Sequence, residues 1–193
     1  MSKIQLAPDA SGTGTLTVAA PNTNSDYTLT LPTETGTVAT QAYVDALSLG
    51  KILQVQSVIK TDTYSTGSTT ASDVTGLTVS ITPSSASNKI LVLAQVNGCQ
   101  GAAGNGIFKL LRNSTEIGSN ALTYPSFGMV TSDTPYGSYS SSIMYVDSPA
   151  TTSATTYKVQ ARVDVNGTLY VNRRSNAADL GGTSQIVVME IAV

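Results

Sequence analysis

Five acidic residues lie in or beside turn-rich segments of the chain: Glu116, Asp133, Asp147, Asp164 and Asp179. Two carboxylates flanking a sugar linkage suffice for glycoside hydrolysis, so a pair of these could form the centre of a polysaccharide depolymerase. The competing reading is that isolated loop aspartates form turns by bonding nearby backbone. Histidine is absent, which removes the commonest general base and the Ser–His and Cys–His nucleophile pairs. Cys99 is the sole cysteine, so neither an intrachain disulfide nor a Cys₂His₂-type metal site can form. It follows an apolar run, has no cation beside it in sequence, and reads as a buried or half-buried thiol rather than a reactive one. Asp164-Val-Asn166-Gly167 starts like a calcium loop, but the later ligands are missing and a hairpin turn accounts for it. Gly101–Gly106 lacks the lysine and the strand–helix context of a phosphate loop. Asn113-Ser-Thr115 and Asn166-Gly-Thr168 fit the glycosylation sequon without a secretory signal to make it meaningful. The reading is therefore not an enzyme, with no catalytic residue, no cofactor and no metal.

The aromatic residues carry a second kind of chemistry. Tyr124, Phe127, Tyr136 and Tyr139 fall in a long irregular stretch beside Asn120, Ser126 and Asp133. Tyrosines among short polar residues make adaptable recognition surfaces and sugar-stacking sites. They serve equally to pack a loop on its own domain or on a neighbouring protomer. Arg173 and Arg174 can grip carboxylated sugars or an acidic protein face through forked hydrogen bonds, or simply pair with Asp179. These six, Tyr124, Phe127, Tyr136, Tyr139, Arg173 and Arg174, are the candidate receptor contacts.

The elements that would position such residues follow from composition. Only 11% of the 193 residues are charged, against 40% hydrophobic, so the polar surface is made by Ser, Thr, Asn and Gln. That β-favouring mixture suits an extracellular or particle-borne protein better than a cytosolic enzyme. A net charge of −2, with no basic run longer than Arg173-Arg174, leaves no phosphate-neutralising face, and nucleic acid is not an expected partner. The amino-terminal residues lack an apolar signal core, and no stretch approaches the ~18 apolar residues of a spanning helix, so no membrane insertion is expected. The chain reads as made in a cytoplasm and carried outward by something else.

Short strands at regular spacing dominate from Lys51 onward. Leu77, Val79 and Ile81 alternate with Thr78, Ser80 and Thr82; Pro83 and a Ser-rich turn follow, and then Ile90–Val96 is apolar on both faces. The spacing predicts a hairpin with one half-wet and one doubly buried strand. Ile52–Ile59, Ile107–Arg112 and Ile143–Val146 read as further strands. Tyr157, Val159, Ala161, Val163 and Val165 alternate with polar residues, and Asn166-Gly167 signals a hairpin into Leu169–Val171. Gln185–Val193 reads as a terminal strand tied into a sheet. About eight strands without βαβ alternation predict an all-β, antiparallel, jelly-roll-like β-sandwich over residues 51–193.

Residues 1–40 read as an extended β arm, with Leu16, Val18, Leu29 and Leu31 too few to bury a core alone. Residues 41–50 read as one short linker helix, with Val44 and Leu47 on its apolar side. The helix either lies on the β domain or forms a three-helix neck on a symmetry axis. In a homotrimer Leu16, Val18, Leu29, Leu31, Val44 and Leu47 would meet their copies, each worth ~1.5–3 kcal/mol when buried.

Two stretches resemble virion proteins of tailed bacteriophages. Ala19–Asp45, with Tyr-Thr-Leu-Thr-Leu-Pro running into Gly-Thr-Val-Ala-Thr, resembles the amino-terminal arm of tail-fibre proteins. Lys51–Val193 resembles the jelly-roll head domain of marine and cyanobacterial phage structural proteins, through Gly-Lys-Ile-Leu-Gln-Val, Gly-Leu-Thr-Val-Ser-Ile-Thr-Pro, Asp147–Thr152 and a terminal Met-Glu-Ile. The resemblance implies a homotrimeric tail fibre or spike on the particle surface. Its arm would meet other virion proteins, and its head would meet a host cell-surface polysaccharide or protein during adsorption. No coiled-coil or repeat shaft is present, which leaves open a capsid-decorating head fibre in place of a long tail fibre.

Overall fold

The computed structural model describes residues 11–12, 26, 51–101, 104–119, 126–131, 138–177 and 181–193. The chain divides into two compact units, Met1–Val38 and Ala39–Val193, and every described strand belongs to the second. These strands are β1 (Ile52–Lys60), β2 (Tyr64–Thr66), β3 (Ser72–Ile81), β4 (Lys89–Gln100), β5 (Asn105–Arg112), β6 (Thr115–Ile117), β7 (Gly128–Thr131), β8 (Tyr139–Asp147), β9 (Thr155–Val163), β10 (Leu169–Val171) and β11 (Ser184–Ile191).

They form two antiparallel sheets. The first has the order β1-β11-β4-β10-β2, with β8 on β4; the second has β3-β9-β5-β6, with β7 on β5. β10 continues the row of β11 along β4, pairing with Gly98–Gln100 where β11 stops at Gln95. β6 and β7 likewise share one side of β5. Each sheet is thus four strand rows wide, a jelly-roll-like arrangement.

The core lies between the sheets and is set by period-two alternation. Ile90, Val92, Ala94 and Val96 of β4 and Ile186 and Val188 of β11 point in from one side. Leu77, Val79 and Ile81 of β3, Phe108 and Leu110 of β5, and Tyr157, Val159, Ala161 and Val163 of β9 meet them from the other. The sheets approach so closely at Gly98 that a Cβ there would stand 2.8 Å from the Phe108 ring.

Three expectations are corrected. The predicted fold class included one short linker helix, but no helix occurs among the described residues, whose regular elements are all strands. The helix expected over 41–50 and the arm over 1–40, with Leu16, Val18, Leu29, Leu31, Val44 and Leu47, lie outside the described residues. A ten-residue segment is also shorter than the ~12–15 residues a lone helix needs in water. Second, β3 and β4 are not a hairpin: β3 pairs with β9 in one sheet and β4 with β11 in the other, so Pro83–Asn88 carries the chain across the core. Third, Asn166-Gly167 also marks a crossing, because β10 joins the first sheet and β9 the second.

Charged side chains end several inward-facing runs, where an apolar residue would otherwise continue. Glu190, wholly buried in β11, accepts hydrogen bonds from Gln54 Nε2 (2.5 Å), Asn88 Nδ2 (2.6 Å), Ser84 N (2.7 Å) and Ser84 Oγ (2.7 Å). Burial pushes its carboxyl up, but these donors from Gln54, Asn88 and Ser84 outweigh it and hold the group at about 2, against an ordinary 4.5. Asp147, at the end of β8, bridges the sheets: Arg112 Nη1 of β5 donates to it at 2.9 and 3.1 Å, and Tyr157 Oη of β9 donates at 2.6 Å. Burial and the Asp147 carboxylate push the Tyr157 phenol far up, so it stays a donor.

Two outcomes test these clamps. Because Glu190 has a depressed pKa in the fold, its stabilisation is complete above pH 4.5 and is lost as pH falls from there towards 2, amounting to roughly 3 kcal/mol. Urea unfolding of wild type and Glu190→Gln should therefore show a gap that is widest at neutral pH and closes in that acidic window. A gap independent of pH would contradict the clamp. Asp147→Asn should cost about 3 kcal/mol, since it strands Arg112 beside a buried neutral group. Tyr157→Phe, which removes a single hydrogen bond, should cost about 1 kcal/mol.

Candidate functional site

Of the carboxylates named as catalytic candidates, the three described ones are occupied separately. Asp147 belongs to the clamp between the sheets. Asp164 accepts from Asn105 N (2.6 Å), Asn105 Nδ2 (2.5 Å) and Val165 N (2.8 Å), closing the turn after β9. Burial raises its carboxyl, and the amide and side-chain donors, chiefly of Asn105, outweigh it and leave it below the usual range. Glu116 pairs with Lys109 at 2.8 Å on the outside of the second sheet. Asp133 and Asp179 lie outside the described residues. Among the described residues no group of three His, Cys, Asp or Glu gathers to hold a metal, and there is no helix long and apolar enough to cross a membrane. Cys99 is buried.

The candidate receptor contacts scatter. Phe127 packs against the core and stacks on Phe108, ring centroids 6.3 Å apart. Its backbone N–H also donates to Phe108 O at 3.0 Å, so it fastens its own loop. Arg173 lies over the Tyr170 ring at 4.7 Å and donates through Nε to Arg174 O at 3.1 Å. Tyr139 opens β8 and is exposed. Tyr124 and Tyr136 lie outside the described residues, as does the Asp179 with which the arginines were expected to pair.

Arg174 borders a shallow depression with Asn97, Ser138, Gly181 and Gly182. Behind it runs a chain of polar contacts absent from the sequence expectations. Ser140 Oγ donates to Asn97 Oδ1 (2.5 Å), and Asn97 Nδ2 donates to Thr183 O. Asn97 N donates to Ser184 Oγ (3.0 Å), which donates in turn to Asn172 Oδ1 (2.6 Å). Asn172, in the left-handed region at φ 60°, donates to Lys60 O (2.9 Å) and Asp62 O (3.0 Å). The network ties β8, β4, β11 and the end of β1 at one edge of the first sheet. Its hydroxyls, Ser140 and Ser184, are engaged with Asn97 and Asn172, so the network supplies rigidity.

The two outer faces differ in chemistry. Outside the second sheet, Lys158 pairs with Asp73 (2.8 Å), Gln160 donates to Asp73 (2.7 Å), and Lys109 pairs with Glu116. The Lys158 bond, then that of Gln160, lowers the Asp73 carboxyl. Outside the first sheet, strand register lines up apolar residues in cross-strand rows. Val55, Met189, Leu91 and Val146 form one row, and Ser57, Val187, Leu93 and Met144 the next. Ile143–Val146 had been expected as a buried strand, but Met144 and Val146 point outward here.

No family model matches the chain, and no curated protein matches it. Among solved structures it is similar to the D431N mutant VP2 protein of infectious bursal disease virus in derived T=1 particles, at 12% identity and TM-score 0.36. It is similar also to a second structure of T=1 particles derived from the infectious bursal virus, at 11% identity and TM-score 0.35. Both comparisons cover 72% of this chain and 36% of the other, so the chain spans about a third of the length of the proteins it matches. Likeness at these TM-scores supports no inference about this chain's activity. The expected membership among tailed-bacteriophage tail fibres is corrected: no family model and no curated protein matches the chain, and the solved structures similar to it are described as T=1 particles derived from infectious bursal disease virus.

Proposed function

We propose that the chain is a non-enzymatic structural protein of a virus particle, acting as a homotrimer that decorates or stabilises the capsid shell. The observation that carries this reading is the use made of buried ionisable groups. Asp147 joins the two sheets through Arg112 and Tyr157, and Glu190 fastens the crossing loop through Ser84 and Asn88. Groups that an enzyme would leave poised toward a substrate are here spent on holding strands together. A surface made by Ser, Thr, Asn and Gln, with 11% charged residues, suits a particle-borne protein and supports the same reading. Trimerisation is proposed from the arm, whose Leu16, Val18, Leu29 and Leu31 need copies or other virion proteins to cover them. Exposure on the particle surface belongs to the proposal.

Antibody raised against residues 51–193 and applied to purified particles, followed by electron microscopy, tests the reading. Label distributed over the shell is the expected result. Particles devoid of the protein, or label restricted to a single vertex appendage, would overturn it.

A further inference from the structure

The unlike chemistry of the two outer faces calls for unlike surroundings. The second sheet covers its outside with Lys109, Lys158 and Asp73 in ion pairs, as a wet surface does. Among the outward-facing residues in the register rows of the first sheet the one charged residue is Lys89, at an end, where its Nζ donates to Ser148 Oγ at 2.7 Å. Apolar exposure concentrates on the two outermost strands. Met144 (75% exposed) and Val146 (55%) stand on β8, and Val55 (51%) and Ile59 (61%) stand on β1. The central Leu91 and Leu93 are half-buried between them.

Together with Ile52 and Leu53, these outer side chains present roughly 600 Å² of apolar surface, at the upper limit of what a monomer leaves bare. Shared between two neighbours, that area gives contacts smaller than the ~800 Å² each partner gives to a standard interface. Among the described residues the one aromatic ring on this face is that of Tyr170 in β10, already covered by Arg173 at 4.7 Å, and Lys89 alone in the outward rows cannot neutralise an anionic surface. An uncharged apolar surface fits it, and a second copy of the same face supplies one without stranding a charge. Exposure on opposite sides favours two neighbours per copy, which closed cyclic symmetry provides, over a single face-to-face partner that would cover the recessed centre.

We propose that the outer face of the first sheet is the contact between copies, with the β8 side of one chain against the β1 side of the next in a closed ring of three. The assignment rests on the trimer proposed above and gives it a location in the β domain.

Sedimentation equilibrium of the full chain, run as wild type, Met144→Asp and Thr78→Asp, tests it. Wild type and Thr78→Asp, whose change lies on the exposed opposite face, should be trimers; Met144→Asp should raise the trimer's dissociation constant at least 100-fold with unchanged far-UV circular dichroism. A Met144→Asp trimer as tight as wild type would overturn the location while leaving the trimer standing, and a monomeric wild type would overturn both. Neither result depends on where antibody labels the particle. The double variant Val55→Cys with Met144→Cys, treated with a short bismaleimide, covers the case in which the aspartate prevents folding. A covalent ladder ending at three is expected, each single variant giving no trimer. A ladder ending at two, or no ladder, would overturn the ring.

Discussion

A carboxylate without a cation is buried where the last strand ends, and the route of the chain depends on it. Glu190 remains charged because Gln54, Ser84 and Asn88 aim four donors at it. Those donors come from β1 and from the segment between β3 and β4, so solvating one charge brings three distant pieces of chain together. Removing any donor would leave part of the desolvation uncompensated, which is costly inside a low-dielectric core. The crossing loop thus has one placement that satisfies Glu190, and that placement commits β3 and β4 to opposite sheets. Asp147 repeats the logic where β8 ends, bonding Arg112 and Tyr157 across the core. Between these two polar clamps the apolar core needs only shape and volume.

Much of the strand pattern was legible in the sequence. The alternation read from Tyr157 placed Tyr157, Val159, Ala161 and Val163 inward as they are, but it missed buried Thr155 and ran one step too far to Val165, which is 53% exposed; Asn113, at φ 53°, makes the turn between β5 and β6. Sheet membership was not legible. Alternation says which side chains share a face, and a Ser-rich or Asn-Gly turn says that the chain bends, but neither says whether it returns to the same sheet. That choice is made by contacts such as Ser84 with Glu190, 106 residues apart. Glu190 itself was readable and overlooked: it continues the inward phase of Ile186 and Val188, and a carboxylate in such a phase must be bonded. Asp147 was taken for a loop residue although it closes the phase of Ile143 and Tyr145. Phe127 was named among the recognition candidates with packing of its loop on the domain as the alternative, and the alternative holds: its ring stacks on Phe108.

The candidate site changed in kind as well as in place. Of the residues singled out for chemistry, the described Glu116, Asp147, Asp164 and Phe127 make contacts within the fold, and the feature of most consequence is an arrangement of ordinary residues. Met144 and Val146 are unremarkable in sequence, since an apolar run such as Ile143–Val146 reads as buried throughout. Only the pairing of β8 at the outside of the first sheet turns two of them outward. A face of that character beside one rich in ion pairs fits a protein that works by packing against neighbours. The low charge of the whole chain fits the same way of working.

Buried ionisable groups here serve the fold and are fixed by it, and Glu190 shows this most sharply. Carbon-13 NMR of the side-chain carboxyls, followed from pH 7 downward, measures the ionisation of Glu190 in the folded protein directly. A carboxyl resonance assigned to Glu190 that stays unchanged through pH 4.5 and begins to move only as pH approaches about 2 is the predicted result. A midpoint at or above 4.5 in the folded chain would show that the four donors do not hold the charge, and would contradict the account.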